Sequence, residues 1–486
     1  MLTRRALLGG VGGAAAFATI SHLPGVRAAA AGSTLPPAPV VPAGVLHEID
    51  LVAAVQSGKS IAGAAVDAPF WLYNDELFPT FRVKLGDKIR AKLQNKLPEH
   101  TSIHWHGIRL PNAMDGVQYI TQPPVEPGES FTYEFTPPDT GTFFFHSHCN
   151  GVSQIGHGLA GLLIVEGDEL EPFDAEHTLA MKDWRLSPEG EWLPFFTTEG
   201  AGRAGTFGTV RTVNGSAAYN ADVPAGADIR VRIFNLDPTR MVDVGLDGAD
   251  GFVIATDGNA IEPIPLHTWR LGAAMRVDLH IRVPKSGSVF RVLDYFSATP
   301  WPLATFSATG EDLPERPLVA HSLYAPHVPR AEPEAAEHVK FQFSAASGAA
   351  ASIAQNFSPD DPLAKELLDS LCVGSRGMWA INKQQWPTGD HRNLPPPLAE
   401  LTPGRNYVFE LMNATPHPHP IHLHGHTFEV LSASRQKLPR FLADTVVVQP
   451  KERIEIAFVA AEGNWMFHCH ILEHQENGMM GWLRIA

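Results

Sequence analysis

A pattern of alternating hydrophobic and polar positions recurs three times along the chain. Each copy runs from a Gly, through three apolar positions that alternate with other residues, to an Asn, and the copies span residues 86–95, 226–235 and 404–413. Alternation with a period of two is typical of a strand that buries one face. The recurrence therefore predicts the same β-strand in three related units.

A second alternating segment follows each copy after a similar interval, at residues 131–135, 275–279 and 454–458. Pro127-Gly128 and Pro450-Lys451 supply turns before two of these segments. Three such units predict an all-β protein with three Greek-key β-sandwich domains. We expect the domains at residues 45–168, 169–335 and 336–486, with residues 331–338 in the second linker. Short helices are predicted at residues 362–371 and 470–477.

The composition agrees with a folded chain of many short strands. Hydrophobic residues make up 44% and charged residues 18% of the 486 positions, which excludes a disordered chain. The 42 Gly and 41 Pro follow no repeat period, which excludes collagen and favours turns. A net charge of −15 argues against a nucleic-acid binder with a basic surface. Three Cys are too few for a disulfide scaffold.

The first thirty residues have the pattern of an export signal. Arg4-Arg5 precedes an apolar, Gly/Ala-rich stretch to Ile20, and residues 28–30 offer a small-residue cleavage site. We interpret residues 1–30 as a twin-arginine signal peptide read by the twin-arginine export machinery, which predicts a periplasmic or secreted protein. A membrane anchor is the alternative, but the apolar run is short for a span, and no other segment predicts one. Residues 31–45 are expected to form a flexible lead-in.

The first and third units carry His-x-His pairs at matching positions, and the middle unit carries none. The four pairs are His104-Trp105-His106, His146-Ser147-His148, His422-Leu423-His424 and His468-Cys469-His470. We expect the second and fourth pairs at the ends of the 131–135 and 454–458 strands. Because residues two apart on a strand face one side, each pair directs two imidazoles the same way. Four pairs from two related units predict a metal cluster between the first and third domains, and imidazole suits Cu, Zn, Fe and Ni.

Cys469 narrows the choice of metal. It lies between His468 and His470, so its side chain points to the opposite face of the strand. Two His, a thiolate and a distant thioether make a blue-copper set, and this chain offers them as His419, Cys469, His474 and Met479, with Met480 as a neighbouring alternative. The first unit is expected to hold no such site, since its corresponding residues are Thr101, Ser147, Val152 and His157.

These stretches together resemble the copper signatures of the multicopper oxidases, and the closest likeness is to bacterial laccase-like enzymes. The signatures are His104-Trp105-His106-Gly107, His146-Ser147-His148, residues 419–425 (HPIHLHG) and residues 468–474 (HCHILEH). The resemblance spans the chain after the signal and implies three cupredoxin-like domains with four coppers. It assigns His419, Cys469, His474 and axial Met479 to the type 1 copper, and His104 and His422 to the type 2 copper. It assigns His106, His146, His148, His424, His468 and His470 to the type 3 pair.

Three acidic residues are candidates for supporting roles. Asp115 follows the first signature, matches an acidic position of the family, and is expected to relay protons, although an Asp-Gly turn would also explain it. Glu473 lies between two ligands and is a second candidate relay. Asp444 resembles a family position near the type 1 edge, where it would contact substrate or a ligand. Cys149 and Cys372 are expected to form a disulfide between the first and third domains or to remain buried thiols.

The resemblance implies an oxidase that couples one-electron oxidation of phenols or aromatic amines to reduction of dioxygen to water. The alternative is a metallo-oxidase of Mn(II), Cu(I) or Fe(II). The Cu(I) version is disfavoured because the ten Met form no rich cluster. A protein of the same fold without copper, and a two-domain nitrite reductase, are disfavoured by the complete ligand set.

Overall fold

The computed structural model describes residues 35–314, 316–345, 377–387 and 393–486. Within these residues the chain forms 32 strands and three short α-helices. The helices are α1 (Gly151–His157), α2 (Thr198–Ala201) and α3 (Leu472–Glu476), and two 3₁₀ helices cover Asn112–Met114 and Pro333–Ala335. No helix in the described part is long and apolar enough to cross a membrane.

The strands form three successive groups. The first group comprises β1 (Leu46–Gln56), β2 (Lys59–Ile61), β3 (Ala64–Val66), β4 (Phe70–Tyr73), β5 (Thr80–Lys84), β6 (Lys88–Lys96), β7 (Ile103–His106), β8 (Ser130–Phe135), β9 (Gly141–Ser147) and β10 (Ala160–Glu166). The second comprises β11 (Ala175–Trp184), β12 (Val210–Val213), β13 (Asn220–Pro224), β14 (Asp228–Asn235), β15 (Val242–Asp247), β16 (Asp250–Thr256), β17 (Asn259–Pro265), β18 (Trp269–Leu271), β19 (Arg276–Arg282), β20 (Val289–Asp294) and β21 (Trp301–Thr309). The third comprises β22 (Glu337–Ala345), β23 (Trp379–Ile381), β24 (Ala399–Leu401), β25 (Asn406–Asn413), β26 (His419–Leu423), β27 (Phe428–Ala433), β28 (Phe441–Ala443), β29 (Thr445–Val448), β30 (Arg453–Val459), β31 (Gly463–Cys469) and β32 (Met480–Ile485).

The second and third groups have the same topology. The second forms two sheets, ordered β12-β11-β14-β19-β16-β17 and β13-β21-β20-β15-β18. The third forms the equivalent sheets, ordered β23-β22-β25-β30-β27-β28 and β24-β32-β31-β26-β29. The first group forms smaller sheets, β4-β1-β6-β8 and β5-β10-β9-β7, beside the β2-β3 hairpin. The predicted all-β class with three related sandwich units is confirmed, whereas the boundaries near residues 168 and 335 stay predictions.

The repeated sequence pattern corresponds to equivalent strands. Its three copies are β6, β14 and β25, each parallel to the first strand of its group. The second alternating segments are β8, β19 and β30, each antiparallel to its partner strand. In β6, fully buried Ile89, Ala91 and Leu93 alternate with more exposed positions, as a half-buried strand requires.

The Asn that ends each copy is buried and closes the loop that leads to the next strand. Its amide donates two hydrogen bonds to loop carbonyls: Asn95 to Glu99 and Val125, Asn235 to Arg240 and Gly272, and Asn413 to His417 and Val448. Its oxygen accepts from the backbone N–H two residues on in all three units. This shared contact set explains the repeated Asn and fixes the loops that lead to β7 and β26.

The predicted helix at residues 470–477 is present as α3, in shorter form. The predicted helix at residues 362–371 lies outside the described residues. Two helices were not predicted, α1 and α2. The expected linker at residues 331–338 contains the 3₁₀ helix Pro333–Ala335, and β22 begins at Glu337.

Candidate metal centre

The four His-x-His pairs lie at the ends of matching strands of the first and third groups. His104 and His106 are on β7 and face β9, where His104 lies opposite His146. In the third group His422 on β26 lies opposite His468 on β31. The expectation that the second and fourth pairs end the β8 and β30 strands was wrong. They lie at the ends of the next strands, β9 and β31, which belong to the opposite sheet.

The eight imidazoles converge in one buried cluster, and none is more than 4% exposed. His104 stacks on His424 and His106 stacks on His422, both with 3.8 Å between ring centroids. The counterparts in the two units are His104 and His422, His106 and His424, His146 and His468, and His148 and His470. If each histidine is exchanged with its counterpart, these two contacts change places. The next contacts obey the same exchange: His106–His470 and His148–His424 at 5.0 Å, and His146–His470 and His148–His468 at 5.3 and 5.6 Å. The cluster therefore has approximate two-fold symmetry.

The ring nitrogens that face the cluster lack hydrogen-bond partners. His424 and His468 both donate through Nδ1, to Asp115 Oδ2 and to the carbonyl of Cys469, so in the neutral form both Nε2 atoms are bare lone pairs. These two Nε2 atoms lie 3.0 Å apart. Burial lowers the pKa of both rings, which keeps them neutral. Two lone pairs that face each other need a cation between them.

The same pattern holds for the remaining cluster nitrogens. Buried ring nitrogens without a partner are His104 Nε2, His106 Nδ1, His146 Nε2, His422 Nε2 and both nitrogens of His148 and His470. Buried polar atoms of this kind are rare unless an ion or water satisfies them. The donor set is thus one of buried imidazoles that fits a metal cluster.

A second set of ligand atoms lies on the opposite face of β31. Cys469 Sγ lies 3.6 Å from His419 Nδ1 and 3.7 Å from His474 Nδ1, and the two nitrogens are 3.1 Å apart. Atoms that share one ion at roughly 2.0–2.3 Å lie about this far from one another. His474 donates through Nε2 to the carbonyl of Arg203 and His419 through Nε2 to Thr415, so both Nδ1 atoms are bare. Burial lowers the pKa of His474 to about 3 and raises the pKa of the Cys469 thiol, so metal binding must displace that proton.

The two methionines near this set lie in different environments. Met479 is fully buried in the same hydrophobic cluster as Cys469, and its carbonyl accepts from the Cys469 N–H at 3.0 Å. Met480 lies beside His468 across β31 and β32 and packs with Trp386 and Trp482. The packing favours Met479 over Met480 as the neighbour of the Cys469 set.

Comparison with known proteins decides the family. Residues 54–170 and 371–486 each match a family model described as multicopper oxidase. A crystal structure of a multi-copper oxidase from Pseudomonas thermotolerans aligns with 91% of this chain and 100% of its own, at a TM-score of 0.77 and 34% identity. The chain belongs to the multicopper oxidase family. Its fold is accordingly cupredoxin-like, and it is a copper-dependent oxidoreductase that uses oxygen.

Curated relatives within the family are more distant. The multicopper oxidase MmcO of Mycobacterium tuberculosis is 29% identical over 82% of this chain and 80% of its own length. Laccase-1 of Botryotinia fuckeliana is 27% identical over 87% of this chain and 80% of its own length. One of these relatives is named only as a multicopper oxidase and the other as a laccase, so the two names do not identify a common reductant.

Two carboxylates contact the cluster of this multicopper oxidase at symmetric places. The carbonyl of Asp115 accepts from His104 Nδ1 at 2.9 Å, and its Oδ2 accepts from His424 Nδ1 at 3.0 Å. The carbonyl of Asp444 accepts from His422 Nδ1 at 2.9 Å, and its Oδ1 accepts from His106 Nε2 at 3.0 Å. Asp444 was expected near the type 1 edge, in contact with substrate or a ligand; the structure places it elsewhere, but in contact with the candidate ligands His106 and His422. It is fully buried against the eight-histidine cluster, because Thr445 at the start of β29 pairs with His422.

Glu473 points away from the cluster. Its Oε1 accepts from Thr206 Oγ1 at 2.6 Å and from the Thr197 N–H at 3.2 Å, and its Oε2 accepts from the Thr206 N–H. Burial raises the pKa of this carboxyl group. The contacts favour a role in bracing α3 against the middle unit, while proton relay by Glu473 stays a prediction.

The Cys469 set is covered by residues that the sequence did not reveal. The ring of Trp379 lies 4.6 Å from His474 and 5.3 Å from His419, and its Nε1 donates to the carbonyl of Ala201 in α2. His474 donates to the carbonyl of Arg203, two residues after α2. These contacts come from a distant strand and from the middle unit, and no motif marks them.

Other candidate residues have structural roles or are untested. His426 is buried, donates to the His424 carbonyl and accepts from the Ala461 N–H. His157 donates to the Ser153 carbonyl and stacks on Trp71. Cys149 is buried, but Cys372 lies outside the described residues, so the disulfide stays a prediction.

Proposed function

We propose that this multicopper oxidase is a laccase-like enzyme that oxidises phenols or aromatic amines and reduces dioxygen to water. The observation that carries the proposal is the pair of ligand sets on opposite faces of β31. One set gathers bare, buried imidazole nitrogens, and the other gathers Cys469 with two imidazoles. A single strand thus joins the proposed electron-accepting site to the proposed site of dioxygen reduction.

The ligand assignments follow the family resemblance. Type 1 copper would be held by His419, Cys469 and His474 with Met479 as a further ligand, and type 2 copper would be held by His104 and His422. The type 3 pair would bind His106, His146, His148, His424, His468 and His470. Copper in these sites, four ions per chain, would supply one-electron acceptance and the four-electron reduction of dioxygen.

The chain provides a short path between the sites. The peptide bonds from Cys469 to His468 and to His470 connect the two faces of β31, and the His468 Nδ1 hydrogen bond to the Cys469 carbonyl, 2.9 Å, adds a parallel contact. Full burial of Cys469 excludes water from the path. We therefore expect electrons that enter at His474 or His419 to reach the cluster through Cys469.

Asp115 is the proposed proton relay. Its Oδ2 holds His424, while its Oδ1 lies 3.2 Å from His104 Nδ1 and has no hydrogen-bond partner. A carboxylate oxygen left without a donor beside the cluster is able to accept and pass a proton. Asp444, its symmetric counterpart, has both oxygens engaged by Arg276.

The contacts of Glu473 bear on the choice of reductant. Carboxylates suit a metal-ion reductant such as Mn(II), but the carboxylate of Glu473, next to His474, is not available for one because both its oxygens accept hydrogen bonds from Thr197 and Thr206. The hydrogen bond from His474 to the Arg203 carbonyl offers a path for electrons that needs no bound metal ion. We therefore favour an organic reductant. The alternative reductants are Mn(II) and Cu(I).

Oxygen uptake by the copper-loaded protein tests the assignment. Uptake is measured in parallel with a phenol, Mn(II), Fe(II) and Cu(I) as reductants, at equal concentrations. We expect the phenol to support the highest kcat/KM. A higher value with a metal ion would contradict the laccase-like reading, and no uptake with any of them would contradict the oxidase reading.

We also propose that the chain is exported to the periplasm or the medium through the twin-arginine machinery. Arg4-Arg5 supports this, since such a pair is the distinguishing feature of the signal. Cell fractionation of the wild type and of a variant with both arginines replaced by lysine tests it. Equal export of both would contradict the proposal.

A further inference from the structure

The middle unit supplies none of the eight imidazoles of the cluster, yet two of its side chains lie directly behind that cluster. Arg276 begins β19 and Asp257 follows β16, and both are buried. Arg276 Nη2 donates to Asp444 Oδ2 at 2.7 Å and Nη1 to Oδ1 at 3.1 Å. Asp257 accepts from the backbone N–H groups of Arg276 at 2.8 Å and of Thr445 at 3.1 Å. These bonds tie the middle unit to the start of β29.

Asp444 extends this contact to His106. Its Oδ1 accepts from His106 Nε2 at 3.0 Å and from Thr445 Oγ1 at 2.7 Å. With Nε2 donating, the bare nitrogen of the neutral His106 ring is Nδ1, which is buried and without a partner. Its symmetric counterpart His424 donates through Nδ1 to Asp115 and directs Nε2 inward. The two halves of the cluster therefore present opposite ring nitrogens at matching places.

Gly107 provides a second observation. It follows His106 with φ of +83°, and a Cβ on it would lie 2.3 Å from Asp444 Oδ2 and 2.4 Å from Arg276 Nη2. Any larger residue would displace the arginine–carboxylate pair or shift the backbone. The counterpart Gly425 meets the ring of Trp465 instead. The glycine of the first signature thus makes room for a contact that exists on only one side of the cluster.

We propose that Arg276 and Asp257 are positioning residues that hold Asp444 against His106, so that this ring presents Nδ1 to the metal cluster. The proposal rests on the proposed copper function. The planar guanidinium engages both oxygens of Asp444 and so fixes the orientation of the carboxylate, which a single point charge would not do. Hydrogen-bond partners of metal-bound histidines fix ring orientation, and their loss typically costs about 10- to 100-fold in metal affinity or activity.

Copper content and spin-resonance spectra of Arg276→Met test this inference. The Cys469 set is on the other face of β31, so the visible thiolate–copper band is expected to stay unchanged. We expect about 10- to 100-fold weaker copper binding at the cluster, together with a changed spin-resonance spectrum of the cluster. Arg276→Lys keeps the charge and is expected to restore part of the copper content. Asp257→Asn is expected to give a smaller change of the same kind.

Arg230→Met is the matched control. Arg230 is also a fully buried arginine of the middle unit, and it pairs with Asp168 at 2.7 Å and with Asp278 at 2.6 Å. We expect this variant to lose stability but to keep the wild-type copper content and spectrum. If Arg276→Met matches Arg230→Met in both readouts, the positioning role is wrong. If Arg276→Met fails to fold, Asp257→Asn takes its place, and a wild-type spectrum and copper content in that variant would overturn the proposal. If the wild-type protein itself binds no copper at the cluster, the proposed function is contradicted instead.

Discussion

The first and third units bring equivalent strands to the cluster, but only the third has a second ligand set behind its strand. Ser147 in β9 and Cys469 in β31 occupy matching positions, opposite Ile103 and Ile421 respectively. Both side chains are buried. The backbone therefore offers the same place twice, and the side chains decide whether it holds a metal ligand.

The neighbours of Ser147 are arranged differently from those of Cys469. Thr101, which corresponds to His419, donates to Gln154 Oε1 at 2.7 Å. His157 stacks on Trp71 with 4.7 Å between ring centroids and bonds within α1. In the third unit the corresponding space holds two imidazole nitrogens 3.1 Å apart. The duplicated domain was thus specialised at a few side chains, while the strands that position them stayed equivalent.

Cys469→Ser is the most direct way to make the third unit resemble the first. A hydroxyl is a poor substitute for a thiolate in a blue-copper set, so we expect complete loss of the visible thiolate–copper band and oxygen uptake no faster than that of copper-free protein. Absorption spectra and oxygen uptake measure both effects. Cys149→Ser is the control and should keep the band. A variant that keeps both band and activity would show that Cys469 is not the ligand.

Asp115→Asn tests the proton relay on the first-unit side of the cluster. General acid–base groups typically contribute 10²–10⁴-fold, so we expect oxygen reduction to slow by roughly 10²-fold while the reductant still bleaches the visible band at the wild-type rate. Stopped-flow absorption separates the two steps. Asp139→Asn is the control, because Asp139 is a buried first-unit carboxylate paired with Arg109. Wild-type oxygen reduction in Asp115→Asn across pH would refute the relay.

Strand alternation and duplication were sufficient to predict the convergence of the ligands. The positions of His104 and His422 follow from local periodicity and from the buried Asn that closes each preceding loop. The place of Asp444 was not predictable, since it depends on the pairing of β29 with β26. Arg276 and Trp379 reach the two sites through contacts between distant segments, and such contacts leave no spacing pattern in the sequence.

Met479→Leu tests how far the third unit tunes its own site. Removing a weak axial ligand is expected to raise the type 1 reduction potential, on the order of 60 mV if the one-electron equilibrium changes tenfold. Redox titration of the visible band measures the shift. Met480→Leu is the control, since Met480 packs with Trp386 and Trp482 and not with Cys469. A fall in potential in Met479→Leu would contradict the axial assignment.

Ser147→Cys asks whether a thiol alone converts the first unit into the third. We expect no second visible band and no extra copper, because Thr101 bonds Gln154 and His157 is held by Ser153 and Trp71, so neither corresponding residue offers an imidazole to position 147. The effect should be confined to a small change in thermal stability, since the new side chain is nearly the size of the old one. Copper analysis and absorption spectra decide the matter. A second thiolate–copper band would mean that a thiol at this place is sufficient to bind copper. The two converging imidazoles of the third unit would then not explain why only that unit holds the Cys469 set.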